Sequence, residues 1–291
     1  MQMYGMSGER LGVIGQESEG LPWKLPAWKQ DFLAKPSVSV RKGIAWGYNP
    51  PYEDTDTLVL TAPSGKFVDI RFPKDARISG QADNHQSFWA FSGEAKTTFH
   101  DAGAEQHAID MPYTAHCEFV HEIDSRGHQS IMNGDEGDMF LLMNGDCVEM
   151  GMMVNPLTGQ RGLYKEYWHC GEKLPPETGD DDSNTCIVAR ASSPAEVEGI
   201  VIRLGGRVQG ITSRRDQDGT QTVEVERWVR DVTRHVQQAS ENSTGTPAGP
   251  WSRDVRSSGS LPGGWLCMPD RQVGDTIEHN GVLWQITEVH N

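Results

Sequence analysis

The sequence predicts an all-β protein built from antiparallel sheets. Short runs of alternating apolar and polar residues recur along most of the chain, and they are separated by turns rich in Gly, Pro, Asn and Asp. Helical periodicity is scarce throughout. Many short strands with little helix favour sheets that close into barrels or pack as sandwiches, because closure removes unpaired strand edges.

The organisation along the chain follows from shifts in composition. Residues 1–36 have no sustained period and are predicted to be an N-terminal extension. A first β unit is predicted over 37–172, an acidic, Pro-containing linker over 173–184, and a second β unit over 185–291. Within the second unit, the stretch 235–264 is rich in Ser, Gly and Pro. Because it exceeds ordinary connections, we expect a long, lid-like loop there.

The first unit begins with a meander of short strands. The candidate runs, in order, are SVSVRKGIAWGY, DTLVLTA, KFVDIRF, SFWAFSG, TTFHDAG and AHCEFVHEID. In the last run, alternation puts two sets of side chains on opposite faces. The face predicted to point inward carries Cys117, Phe119, His121 and Ile123, and the face predicted to point outward carries His116, Glu118, Glu122 and Asp124.

The stretch Asp138–Cys170 is predicted to close the first unit as a β-hairpin. Its two strand runs are joined by Asn155-Pro156-Leu157-Thr158-Gly159, and Pro fixes φ while Gly accepts positive φ. Glu149 and Glu166 lie on these strands among Met and aromatic residues. Two alternatives remain open from the sequence: the carboxylates line a pocket, or they face solvent.

The second unit repeats the same strand signals. Its candidate runs are TCIVARA, EGIVIRLGG, RVQGITS, TVEVERWVRDV and DTIEHNGVLWQITEV. In the last run, Asn280-Gly281 is the strongest short hairpin signal of the chain. Both halves end in a turn followed by a strand that carries Trp, which a tandem of two related barrels would produce and so would chance.

Composition excludes several classes of function. The chain has 41 acidic and 26 basic residues and a net charge of −15, which argues against binding to nucleic acid or to an anionic membrane. No apolar run approaches the roughly 20 residues that span a bilayer, and no signal peptide is seen at the start. The five cysteines form no CxxC pair, so neither a disulfide scaffold nor a zinc knuckle is indicated. We therefore expect a cytoplasmic protein.

Three residues are candidates for acid–base catalysis. His121 lies on an otherwise apolar strand face and could exchange protons near neutral pH, although a hydrogen-bonded core histidine fits the same pattern. A carboxyl group of Glu149 or Glu166 that is shielded from water would have a raised pKa and could act as an acid. The residues expected to contact a substrate beside them are Phe119, Met150, Met152, Tyr164 and Trp168.

No cofactor or metal is predicted. Five histidines crowd the stretch from His100 to His128, but their spacing fits no zinc signature. The chain contains no GxGxxG, GxxxxGK[ST] or GxSxG motif, so a nucleotide cofactor and a hydrolase elbow lack support.

Several segments taken together resemble a known family. They are SVSVRKGIAWG, PPYEDTDTLVLTAPSGKFVDIRF, WAFSG, HEIDSR, NGDCVEMGMMVNPLTG, YKEYW and GRVQGITS. In order and number these motifs resemble the fungal HRI-one family. The resemblance implies two consecutive lipocalin-like β-barrels, but it carries no settled reaction and no catalytic residues. The N-terminal extension and the stretch 235–264 depart from a plain family member, which suggests a specialised relative in fungal secondary metabolism.

The function predicted from these observations is cofactor-independent cyclisation or isomerisation of an apolar polyketide- or terpenoid-type small molecule inside a barrel. His121, Glu149 and Glu166 would transfer protons while the barrel confines the substrate. The alternative is a non-catalytic protein that binds a small ligand, or that acts as an interaction adaptor through its acidic surface and the stretch 235–264. The sequence does not specify an oligomeric state.

Overall fold

The structure is a computed structural model, and its description covers twelve stretches of the chain. They are residues 36–74, 88–98, 114–127, 134–142, 144–155, 158–170, 185–191, 197–216, 218–230, 251–256, 261–268 and 270–290. The predicted linker 173–184 lies outside the described residues, as does nearly all of the predicted extension 1–36.

The first unit is an eight-stranded, closed antiparallel barrel in which each strand pairs with its sequence neighbours and β8 pairs with β1. Its strands are β1 (Ser37–Trp46), β2 (Thr55–Thr61), β3 (Lys66–Pro73), β4 (Trp89–Thr98), β5 (Thr114–Asp124), β6 (Glu136–Leu141), β7 (Cys147–Val154) and β8 (Arg161–Cys170). The β2–β3 turn depends on Gly65, whose φ of 85° is in the left-handed region. A Cβ at Gly65 would also lie 2.7 Å from the Ala95 carbonyl oxygen.

The second unit is a seven-stranded antiparallel sheet that forms a half-barrel, with strand order β13-β12-β11-β10-β9-β15-β14. Its elements are β9 (Cys186–Ala191), β10 (Val197–Leu204), β11 (Arg207–Arg215), β12 (Gln221–Arg230), β13 (Trp251–Arg256), the short helix α1 (Gly263–Leu266), β14 (Thr276–His279) and β15 (Val282–His290). Both residues of the Asn280-Gly281 turn have positive φ, as the hairpin prediction required. The all-β prediction of two consecutive antiparallel units is confirmed.

The stretch 235–264, predicted to be one long loop, contains regular structure where it is described. Strand β13 forms one edge of the second sheet, and α1 begins near the end of the stretch. The other residues of this stretch, 235–250 and 257–260, lie outside the described residues, and Leu261 and Pro262 lead into the helix.

The main apolar core lies between the two units. The outward faces of β2 and β3 pack against the second sheet, because these strands carry apolar residues at every second position. The buried members from the first unit include Leu58, Leu60, Val68, Ile70 and Phe72, and those from the second include Val188, Ile200, Ile202, Ile211 and Val225.

Two buried polar side chains of the second sheet cross this core. The Gln209 amide nitrogen donates to the carbonyl oxygens of Leu58, at 2.8 Å, and Val68, at 2.9 Å. The Arg227 guanidinium donates to the Gln209 amide oxygen at 2.9 Å and to the Ile70 carbonyl oxygen at 3.1 Å. The second unit therefore hydrogen-bonds to the backbone of the first.

A β-bulge in β5 corrects part of the predicted facing. The register between β4 and β5 shifts between Ser92 and Gly93, which adds one residue to β5. Beyond the shift, Ile123 packs into the core between the units instead of pointing into the barrel. Asp124, predicted to face outward, is fully buried and hydrogen-bonds His121.

Candidate functional site

The interior of the first barrel is strongly polar. Strand β3 shows why, because its apolar positions face the second unit and its alternate positions face inward. Those alternate positions bring Asp69 and Arg71 into the barrel, where both side chains are at least nine-tenths buried. Barrel closure places these charged groups opposite the glutamates of β7 and β8.

Two arginines hold Glu166. The Arg41 guanidinium donates to Glu166 Oε1 at 2.5 Å, and Arg71 approaches the same oxygen at 3.4 Å. Arg41 also forms an ion pair with Glu53 at 2.9 Å, while Arg71 donates to Asp69 Oδ2 at 2.7 Å. Only 2% of the Glu166 side chain is exposed, so burial and two cations fix this carboxylate in place.

Aromatic rings enclose the Arg71 guanidinium. Its central carbon lies 4.5 Å from the ring centroid of Trp89, 5.1 Å from that of Phe91 and 6.0 Å from that of Trp168. Cation–π contacts of this kind stabilise a guanidinium that is removed from water. Burial raises the pKa of the neighbouring Asp69, although Arg71 opposes the rise.

Glu149 lies directly opposite Glu166 in the β7–β8 register, but its surroundings differ. Tyr164 Oη is 2.6 Å from Glu149 Oε1, and the Trp168 indole nitrogen donates to Oε2 at 2.9 Å. Burial raises the pKa of Glu149 to about 8, and the negative charges of Glu166 and Asp135 add to the rise. The protonated form of Glu149 is therefore favoured near neutral pH.

Two glycines make room for this arrangement. A Cβ at Gly137 would lie 2.8 Å from Glu149 Cγ, and one at Gly151 would lie 2.6 Å from Tyr164 Oη. Any side chain at either position would push on the hydrogen-bonded pair formed by Glu149 and Tyr164. Burial raises the pKa of Tyr164, and the hydrogen bond to Glu149 adds to the rise, so the phenol stays neutral.

His121 is held between two carboxylates. Its Nδ1 is 2.9 Å from Asp124 Oδ2 and its Nε2 is 3.1 Å from Asp135 Oδ2, while its ring stacks on Phe91 at 4.2 Å between centroids. Burial alone lowers the pKa of His121, but the hydrogen bonds to Asp124 and Asp135 outweigh it and raise the pKa to about 9. The ring is therefore an imidazolium at neutral pH, with both nitrogens engaged.

The barrel interior brings together most of the predicted site residues. His121, Glu149, Tyr164, Glu166 and Trp168 are all buried there. Phe119 is half-buried, and its ring meets that of Phe67 edge-on at 5.9 Å.

The prediction that Met150 and Met152 line the pocket is wrong. Alternation along β7 points Cys147 and Glu149 inward, so the methionines lie on the outer surface. Met150 is half-buried there, and Met152 is 47% exposed.

Four charged residues of the barrel interior were not predicted from the sequence. They are Arg41 and Arg71, which contact Glu166, Asp69, which pairs with Arg71, and Asp135, which contacts His121. A charged residue that alternates with apolar ones is usually a solvent-facing residue. The signal that could have found Asp69 and Arg71 is the closed barrel itself, since its strands can be buried on both faces.

A separate cavity of about 520 Å³ lies where the two units meet. Its lining is mixed in polarity and comprises Glu122, Ile123, Arg190, Ala191, Val197, Glu198 and Gly199. Among the described residues, no group of three or more His, Cys, Asp or Glu side chains could hold a metal ion. No helix in the described part of the chain is long and apolar enough to cross a membrane.

The fold and the site define a class of protein: a tandem, lipocalin-like β-barrel protein whose first barrel encloses a buried ionic network. The family model described as Protein HRI1 matches residues 37–288, and the chain belongs to that family. An uncharacterized protein from Saccharomyces cerevisiae has a similar crystal structure, with a TM-score of 0.61 and 16% sequence identity over 88% of this chain and 99% of that chain. At this identity the likeness shows the fold alone. No curated protein matches the chain.

Proposed function

We propose that this protein is a cofactor-independent isomerase or cyclase whose acid is Glu149, inside the first barrel. The supporting observation is the facing pair of Glu149 and Glu166. Glu166 is ion-paired with Arg41 and Arg71, whereas Glu149 is hydrogen-bonded to the neutral side chains of Tyr164 and Trp168 and has a pKa of about 8. Carboxyl groups whose environments separate their proton affinities are a recurring basis of acid–base catalysis.

The chemistry balances without a cofactor. Glu149 gives its proton to a carbonyl oxygen of the substrate, and the resulting carboxylate is reprotonated by a proton lost elsewhere on the same molecule. The positive charges of Arg41 and Arg71 lie beside the facing carboxylate and limit the build-up of negative charge. The Tyr164 hydroxyl lies 2.6 Å from Glu149 and 3.3 Å from the Glu136 carbonyl oxygen. It can donate to the carbonyl oxygen while Glu149 is protonated, and to the Glu149 carboxylate once the proton has left.

The polar interior narrows the substrate class. An entirely apolar terpenoid offers no oxygen atoms as hydrogen-bond partners for the proton of Glu149. A polyketide-type molecule with carbonyl and enol oxygens offers those partners, while Phe119 and Trp168 supply apolar contact. We therefore propose an oxygen-rich polyketide-type molecule of secondary metabolism as the substrate.

The test uses the full-length protein and an organic extract of a host strain that lacks it. Liquid chromatography coupled to mass spectrometry follows the loss of one compound and the appearance of an isomer of equal mass. We expect conversion by the wild type and a loss of at least about 100-fold in rate for Glu149→Gln, as general acids typically contribute. An unchanged rate for Glu149→Gln would remove the acid role. Leu283→Gln, an exposed position on β15, serves as the control.

A second candidate is binding of a small ligand without turnover. It is favoured by the way the interior charges hold one another, since Arg41, Asp69, Arg71 and Glu166 already form ion pairs. Native mass spectrometry of protein purified from its own host separates the two. A copurifying small molecule that the protein never converts would support binding, and a copurifying protein with no small molecule would support an adaptor.

We also propose a cytoplasmic location. All five cysteines are free thiols, and burial raises the pKa of each of them, which suits a reducing compartment. Microscopy of a fluorescent fusion in the host tests this proposal directly.

A further inference from the structure

An uncovered apolar surface lies on the outside of the first barrel. It runs along β7 and includes its neighbours on β6 and β8, and we call it the apolar strip. Its members are Phe140, Val148, Met150, Met152, Val154 and Leu163. Met152 and Val154 are each 47% exposed, and Leu163, which pairs with Met152, is 37% exposed. Contiguous exposed apolar surface of this kind marks interaction sites, and Met-rich surfaces adapt readily to a partner.

The two flanks of the apolar strip carry opposite charge. On the β5–β6 side lie Glu118, Glu136 and Asp138, all of them exposed, with His116 3.0 Å from Asp138 and 3.8 Å from Glu136. On the β8 side lie Arg161, which is exposed, and Lys165, which is half-buried. The surface is therefore acidic on one edge, apolar in the middle and basic on the other edge.

The strand register aligns the acidic edge, the apolar centre and the basic edge in one row. Asp138 pairs with Met150 on β7, and Met150 pairs with Lys165 on β8, so the three form one row across the strands. Two such surfaces can face each other about a two-fold axis that runs parallel to the strands. That rotation reverses the order across the strands, so it puts the acidic edge of each copy opposite the basic edge of the other.

We propose that a second copy of this chain docks on the apolar strip with this two-fold symmetry. Met150 and Met152 of the two copies then pack at the centre, and Asp138 of each copy lies opposite Lys165 of the other. The net charge of −15 would by itself favour a basic partner. A uniformly basic partner, however, would meet like charge at Arg161 and Lys165, whereas a second copy matches both edges.

The competing two-fold axis fails on charge. An axis that lies in the interface but perpendicular to the strands would put Glu118, Glu136 and Asp138 of one copy against the same residues of the other. Like charges directly opposed across an interface cost affinity. The charges of the two edges therefore favour the strand-parallel axis. This axis predicts that Asp138 of one copy lies opposite Lys165 of the other, which non-specific apolar association does not predict.

The experiment measures the oligomeric state of the full-length protein by sedimentation velocity up to about 100 µM, a concentration at which even weak dimers populate. We expect a wild-type dimer. Asp138→Lys and Lys165→Glu should each weaken it about tenfold or more, because every two-fold contact then pairs like charges. Mixing the two variants should restore a dimer, since a mixed pair has Lys opposite Glu at one contact and Lys opposite Asp at the other.

Matched controls separate this geometry from general effects. Met152→Asp should abolish the dimer, whereas Leu283→Asp, an exposed apolar position on a strand of the second unit, should not. Arg215→Glu, an exposed charge reversal at the end of β11, should also leave the dimer unchanged. Circular dichroism verifies that each surface variant is folded.

A monomer over the whole concentration range would overturn the proposal. A dimer that ignores Met152→Asp, or a pair of charge variants that stays monomeric after mixing, would overturn it as well. A different protein that copurifies on this face and is displaced by Met152→Asp would replace the second copy as its occupant. Dimerisation that is rescued only in the mixture supports the two-fold arrangement.

Discussion

Strand β3 has two buried faces of opposite chemistry. One face carries Val68, Ile70 and Phe72, which are fully buried in the core between the units. The other carries Asp69 and Arg71, which lie inside the barrel among other charges. The comparison shows that apolar burial on the outside of the barrel supplies stability, which leaves the inside free to hold groups that a core would exclude.

The two regions should respond to mutation by different rules. Removing an apolar side chain from the core between the units costs transfer free energy and leaves a cavity. Removing one charge from the barrel interior leaves its partner buried and unpaired, so the cost depends on what remains. Four experiments separate these rules, ordered from the largest expected loss of stability to the smallest.

Phe72→Ala should give the largest loss. Its ring is fully buried between the units and lies 5.6 Å from that of Phe88, so truncation should lower the free energy of unfolding by about 3–5 kcal/mol. Urea unfolding at neutral pH measures the loss. Tyr48→Ala, at a fully exposed aromatic, should stay within about 0.5 kcal/mol of the wild type. Equal effects at the two positions would mean that the core between the units does not stabilise the fold.

Arg71→Met should cost about 3–4 kcal/mol, because it leaves the buried Asp69 without its cation. The double variant Asp69→Asn, Arg71→Met should recover most of that loss, since no unpaired charge then remains. The same unfolding assay, applied also to Asp69→Asn alone, yields the interaction free energy between the two positions. If the double variant were as unstable as the single one, packing of the Arg71 stem rather than its charge would be responsible.

His121→Gln should cost about 3 kcal/mol at acidic pH. The folded-state pKa of about 9 is above the ordinary value of 6.5, so the contribution is fully present below about pH 6.5 and is lost as the pH rises through about 9. The difference between variant and wild type should therefore shrink toward zero in alkaline solution. A difference that is independent of pH would show that Asp124 and Asp135 do not hold a charged ring.

Glu149→Gln should have the smallest effect in acid and should become stabilising as the pH rises. The folded-state pKa of about 8 exceeds the ordinary value of 4.5, so the wild type loses stability from about pH 4.5 upward until it has passed about pH 8. A glutamine keeps the shape of the protonated carboxyl and cannot ionise. Unfolding curves at three pH values test this, and variant and wild-type stabilities that change in parallel would contradict a protonated Glu149.

Much of the fold could be predicted from the sequence because its turns and alternation are local signals. The β7–β8 hairpin follows from a Pro- and Gly-containing turn, and the register that pairs its strands puts Glu149 opposite Glu166. The stretch Asp138–Cys170, predicted as a single hairpin, also contains most of β6, which pairs with β7. Local patterns fix which residues alternate. They do not tell which of the two faces points into the barrel, and this is why Met150 and Met152 were placed on the wrong side.

The rest depends on contacts distant in sequence. The bulge that turns Asp124 inward arises from the β4–β5 register, which no stretch of β5 reveals alone. Arg41 meets Glu166 from 125 positions away, and Asp135, which directly precedes β6, reaches His121. The alternation along β3 predicts that Asp69 and Arg71 face solvent, because the apolar residues between them are enough to form one buried face. The second unit uses that side, so barrel closure buries the other.

The hydrogen bonds from Gln209 and Arg227 to the backbone of β2 and β3 couple the unfolding of the first unit to that of the second. A chain that ended after β8 would expose the outer apolar face of its barrel and would lose these buried donors. We therefore expect the two halves to melt in one cooperative transition. The closed barrel and the half-barrel that follows it then form a single folding unit, and neither would be inherited or expressed as an independent domain.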